Sequence, residues 1–183
     1  MFEKNIVELM NKKEMETTTK NKKRLFAKLG YSHLDTAEIV TRLNQVLTDY
    51  NIILHKLRNY HWNVKGADFF ELHRLFGNMS DQMFKETDLI AEKIRLFGKQ
   101  PLGTLREYLK HTKIEESNAE NIPMEMVKDI LSDLSFLLAE IEDSIISAQN
   151  ISDFGTESML KSFIVKHERE YWMLSSWLNQ NIV

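Results

Sequence analysis

Apolar residues recur along most of this chain at three- and four-residue intervals, the period of a helix that turns one face to a core. The first such stretch carries Ile39, Leu43, Val46, Leu47, Tyr50, Ile53, Leu54 and Leu57. Asp35-x-x-Glu38 ahead of it has the form of a capping box, which predicts that the helix opens there. A second box, Asp68-x-x-Glu71, opens a segment that runs to about Phe97 and is closed by Gly98. Pro101 and Gly103 mark a connection in which residues 105–109 form a short helix. Pro123 suits the first turn of a third long helix, carried by Met126, Val127, Ile130, Leu134, Leu137, Leu138, Ile141 and Ile145. Residues 150–155 break the pattern again. Met159, Leu160, Phe163, Ile164, Tyr171, Leu174 and Leu178 then carry the last helix. Four helices of roughly 24 to 30 residues, with a link of about 25 residues between the second and third, predict an all-α four-helix bundle with a crossover connection. There is no strand pattern and no internal repeat. Residues 1–30 are polar and Lys-rich, and read as a mobile arm with a short helix at residues 6–10. The bundle domain spans 31–183.

Composition sharpens this picture in three places. A chain of 183 residues is most simply one domain with a sizeable core. Its 24 basic and 27 acidic residues leave a net charge of −3, against a protein that coats nucleic acid with its whole surface. The charge is uneven: residues 1–28 hold eight Lys/Arg against four Glu, a local balance of +4 that leaves −7 for the rest. There is no cysteine, which excludes disulfides, thiolate metal sites and thiol catalysis. The first residues alternate charged and apolar side chains rather than forming a signal peptide. No run approaches the roughly 18 apolar residues of a membrane helix. A cytoplasmic protein is expected.

The chemistry concentrates in Asn59-Tyr-His-Trp-Asn-Val-Lys-Gly66, then His73, then Asp88 and Glu92. Imidazole nitrogen with carboxylate oxygen is the donor mixture of an iron or other first-row transition-metal site. His61 ends one helix and would turn back over the Val64-Lys65-Gly66 corner toward His73. Asp88 and Glu92 are four apart and share a helix face. His73, however, precedes Asp88 by 15 residues, roughly 22 Å along a helix. One ion cannot touch both ends. Either the two pairs serve different purposes, or an antiparallel second copy brings its carboxylates to this copy's imidazoles across a two-fold axis. Taken singly, each of these residues is more often a surface or core group. Their apolar neighbours (Tyr60, Trp62, Leu89, Ile90, Ile94) favour the ligand reading, because charge beside apolar surface is costly without a partner. A di-metal site inside the bundle would need Glu-x-x-His pairs. None precedes His55, His61, His73, His111 or His167.

Over residues 35–178, and most closely in Tyr60-His-Trp-Asn-Val-Lys-Gly66 and Asp88-x-x-Ala-Glu-Lys-Ile94, the chain resembles the Dps family, the mini-ferritins. The resemblance implies a ferritin-like bundle with a short helix in its long link, twelve subunits in a hollow shell, and oxidation of Fe(II), preferably by hydrogen peroxide, with ferric mineral stored inside. It implies that His61 and His73 bind iron with Asp88 and Glu92 of a neighbouring subunit, Glu92 bridging or holding the tighter ion. Trp62 would pack near the site, either absorbing oxidising equivalents or simply filling the interface. Some members also bind DNA without sequence preference, and here the basic arm would do so by multivalent phosphate attraction. Asp153 and Glu157 fall where the family has acidic pores, though helix-start roles suit them equally. One departure stands out. The family usually places an acid four residues after His73, and here that residue is Gly77. Gly77 supplies no ligand and weakens the helix by about 1 kcal/mol relative to Ala, so the second iron position is expected to be weak or water-completed. Asp81, one turn on, either compensates through water or is a plain surface residue. The alternative function is a DNA-binding or inert shell whose ferroxidase Gly77 has weakened or abolished.

Overall fold

The computed structural model describes residues 30–117 and 122–180. The basic arm, with the short helix expected at residues 6–10, lies outside the described residues. Within them are five helices and no strand: α1 (His33–Asn63), α2 (Phe69–Leu96), α3 (Leu105–His111), α4 (Pro123–Asn150) and α5 (Phe154–Gln180). The α1–α2 and α4–α5 pairs are hairpins, and α1 also packs on α4. The link between α2 and α4 is the expected crossover, and α3 within it lies against α1.

The periodic apolar positions form the core. Leu43, Val46, Tyr50, Ile53 and Leu57 of α1 are all fully buried, with Phe76, Met83 and Ile90 of α2 and Ile130, Leu137 and Ile141 of α4. The helix ends differ from expectation in detail. α1 starts one turn early because the Ser32 hydroxyl accepts from Asp35 N at 3.2 Å, while the Asp35 carboxylate accepts from Ser32 N at 2.8 Å. Asp35 is therefore the last residue of the box rather than its first. Glu38 instead accepts from the Ser147 hydroxyl of α4 at 2.8 Å. Asp68 does precede α2, but its side chain makes no capping bond. α3 carries a full capping box between Thr104 and Glu107.

Polar groups pin the link to the bundle. Asp49, buried in α1, accepts from Thr112 Oγ1 at 2.8 Å and Lys113 N at 2.9 Å. Between α1 and α4, buried Lys56 pairs with Asp133 at 2.6 Å and Asp129 at 2.8 Å. Burial pushes the Asp133 carboxyl up to about 6, against the opposing pull of Lys56.

Candidate functional site

The α1–α2 corner brings the two candidate histidines together. Gly66 takes φ +104, a left-handed conformation that glycine adopts without strain. The chain thus reverses within a few residues and lays the start of α2 against the end of α1. The imidazoles of His61 and His73 stack, centroids 3.8 Å apart and planes 20° from parallel, with Phe69 stacked on His73 at 5.0 Å.

Each ring is bonded to the other residue's backbone. His61 Nδ1 lies 2.6 Å from the His73 carbonyl, and His73 Nδ1 lies 2.6 Å from the His61 carbonyl. A carbonyl only accepts, so both Nδ1 atoms carry protons. The His61 carbonyl is in the last turn of α1, where helical partners run out, and His73 satisfies it. The protonation pattern leaves Nε2 of each ring as the free nitrogen, and neither bonds to any described residue. A ligating histidine characteristically donates its other N–H to a carbonyl or carboxylate, which fixes tautomer and orientation. This half of the site fits a divalent transition metal by the chemistry of its donors.

The rings open onto a surface depression of about 500 Å³ that Trp62, Phe70, Gly77 and Asp81 also line. Asp88 and Glu92 are not there. Both lie further along α2, exposed and without an ion pair to any described residue. Phe70, His73, Gly77, Phe84 and Asp88 fall within one narrow arc of α2 at helical periodicity, pointing away from the buried stripe of Leu72, Phe76, Met79, Met83 and Ile90. Phe70 and Phe84 on this outward arc are 75% and 64% exposed. Among the described residues, no group of three or more acidic or histidine side chains within one chain could hold a metal.

Residues 40–181 match the family model of the ferritin-like domain. A Bacillus anthracis protein named DNA protection during starvation protein 2 is 34% identical over 143 residues, covering 78% of this chain and 98% of that one. The chain belongs to the Dps family. The crystal structure of Dps from Staphylococcus aureus superposes with a TM-score of 0.75 at 30% identity, covering 77% of this chain and 95% of that one. Dps from Vibrio cholerae O1, described as a member of a broad superfamily of ferritin-like diiron-carboxylate proteins, gives 0.77 at 28%, covering 79% and 91%.

Of the remaining candidate residues of this Dps chain, Trp62 and Asp81 lie beside the pair and Asp153 and Glu157 lie at the start of α5. Trp62 is 64% exposed beside the depression, with the Arg58 guanidinium 5.5 Å over its ring. Asp81 is exposed at the rim. Asp153 is buried, N-capping α5 by accepting from Thr156 N at 3.2 Å and pairing with buried Lys93 at 3.3 Å. Of its two expected roles, the helix start is the one its geometry serves. Glu157 accepts from Lys161 at 2.6 Å and Gln149 at 2.8 Å, and these bonds hold its carboxyl below the usual range.

A second histidine site was not anticipated. His167 of α5 is fully buried. Its Nδ1 meets Glu170 at 2.8 Å, and its Nε2 meets Tyr50 Oη at 2.6 Å and Glu86 at 3.0 Å. Lys166 adds a second cation to Glu86 at 3.1 Å. Burial works against the charged ring, but Glu170 and Glu86 outweigh it and raise His167 to about 9. The only sequence signal was His167-x-x-Glu170. Glu86, 81 residues earlier in the chain, was invisible as its partner.

Proposed function

We propose that this Dps protein oxidises and stores iron, at centres formed where α2 of one subunit meets α2 of a second copy in antiparallel register. His61 and His73 of one copy supply nitrogen, and Asp88 and Glu92 of the other supply oxygen and two negative charges. The observation that carries this reading is the reciprocal bonding of the imidazoles, which turns two free Nε2 atoms toward solvent while the acids of the same helix stand exposed and unpaired. The ferritin-like family match supports iron as the metal. Two Fe(II) each give one electron to hydrogen peroxide, whose O–O bond breaks, and the ferric product hydrolyses to mineral with release of protons. A dodecameric cytoplasmic shell is the assembly proposed. Two carboxylates neutralise one divalent ion, so a second iron without an acid at position 77 is held more weakly.

The test uses anaerobic Fe(II) oxidation by hydrogen peroxide. His73→Ala and Asp88→Ala each lose the fast phase. Subunits of the two variants, refolded together, regain about a quarter of the centres, because a mixed dimer keeps one site intact. A mixture as inactive as its parents refutes a shared centre.

A second reading rests on the naming of relatives such as the Bacillus anthracis protein for DNA protection, and on the +4 charge of residues 1–28. On this reading the arm binds DNA without sequence preference, and deleting it abolishes a salt-sensitive gel shift.

A further inference from the structure

The outward arc of α2 leaves Phe84 64% exposed in a single chain. The same arc carries Gly77 in mid-helix, although glycine is the poorest helix former after proline. A glycine is tolerated there where another group must approach the backbone closely. Gly77 lines the depression of about 500 Å³ beside the imidazoles, ample for a phenyl ring. The His61 ring lies against it, since a Cβ built at 77 falls 2.9 Å from His61 Cε1 and Nδ1. A longer side chain at 77 must therefore run outward, into the depression.

The shared centre fixes what else meets this arc. If His73 faces Asp88 of the partner subunit across a two-fold axis, facing residues of the two α2 helices have numbers that add to 161. If it faces Glu92 of the partner subunit, they add to 165. Phe84 of the partner subunit then lies opposite the stretch from residue 77 to residue 81, whichever acid sets the register. Its ends are Gly77 and Asp81, four apart on one face. A side chain of a facing helix packs into the hole between such positions, and here the hole has no side chain at its Gly77 end. An exposed phenyl ring and an empty notch come to the same level.

We propose that Phe84 of each subunit seats over Gly77 of the other and locks the antiparallel register. It is a positioning residue, acting through the two acids it brings to the imidazoles. This rests on the shared-centre reading. A side chain at 77 and the phenyl ring of the partner's Phe84 claim the same space, so an acid can return to 77 only when position 84 is made small. The side of the centre where that acid would hold a second ion is lined by an apolar ring instead.

The chain has no cysteine, so single cysteines report the register. Asp81 falls opposite residues 80–84 of the other copy, whereas Phe70 falls opposite 91–95, about 30 Å or more from its own counterpart. Under diamide, Asp81→Cys should run as a covalent dimer on a non-reducing gel and Phe70→Cys as a monomer. No link at 81 overturns the shared-centre register itself. Co(II) titration by calorimetry, with size-exclusion chromatography of the same samples, then tests the seat. Phe84→Ala should weaken Co(II) binding about tenfold, the loss expected when a group that orients ligands is removed. Gly77→Glu alone should shift the protein to smaller species, because its side chain meets the partner's Phe84. Gly77→Glu with Phe84→Ala should reassemble and bind Co(II) more tightly than Phe84→Ala alone, a coupling that a general effect on the helix would not produce. With the link at 81 intact, wild-type binding in Phe84→Ala, or the same effect of Gly77→Glu with and without Phe84, overturns the seat.

Discussion

His61 with His73, and His167, use the same side chain to opposite ends. At the corner, each imidazole spends one nitrogen on a backbone carbonyl and keeps the other unbonded toward solvent. In the bundle, both nitrogens of His167 are engaged, by Glu170 on one side and by Glu86 and Tyr50 on the other. A carbonyl orients a ring without adding charge to it. Two carboxylates make the ring a cation and consume it. What decides whether a histidine can bind a metal is therefore what its second nitrogen meets, and of these three histidines the corner pair are the ones with an atom to offer.

The sharpest way to break that contrast is to remove the buried ring. His167→Leu leaves Glu86 and Glu170 in the core without their common partner, and losing one member of a buried ionic group costs about 3–5 kcal/mol. Urea unfolding should show this, and a loss below about 1 kcal/mol would mean that the cluster is solvated or rearranges. Next in size is the pH response. The native state binds the His167 proton more tightly than the unfolded chain, with a pKa of about 9 against 6.5. Its contribution, about 3 kcal/mol at 1.36 per unit, is complete below 6.5 and fades as pH rises to 9. Asp133, raised to about 6 from 3.8, adds a loss of the same sign in its own lower window. Melting temperature should thus fall between pH 6.5 and 9 in wild type and stay flatter in His167→Leu. The smallest effect falls at the corner, where His73→Ala removes one hydrogen bond at a half-exposed carbonyl that water can satisfy. It should shift unfolding by about 1 kcal/mol or less, although the same substitution is expected to abolish fast iron oxidation.

Much of this was legible in sequence because it is local. The 3.6-residue pattern located all four long helices, and Pro123 stands at the start of α4 as expected. The corner that joins His61 to His73 could be read from Val64-Lys65-Gly66, since a tight reversal leaves nearby residues little choice of neighbour. Caps were less legible. Asp35 was the right residue in the wrong position of its box, because Ser32 offers the same chemistry three residues earlier. Asp153 illustrates the limit differently: its cap is local, but its pairing with Lys93 joins residues 60 apart and no spacing rule announces it. The Glu86–His167 pair fails for the same reason. Gly77 could be read for the ligand it lacks, but that the ring of His61 lies against it needed the fold, because the two sit on different helices.

The imidazole pair closes a loop of 12 residues, and contacts across such short loops form in about 10–100 ns. The nitrogen half of the proposed centre is therefore among the earliest local structures a newly made chain can complete. Its oxygen half, on the proposed reading, arrives only with a second copy. On that same reading synthesis and reactivity are separated in time, and a lone subunit carries its imidazoles ready-made before a second copy completes the centre.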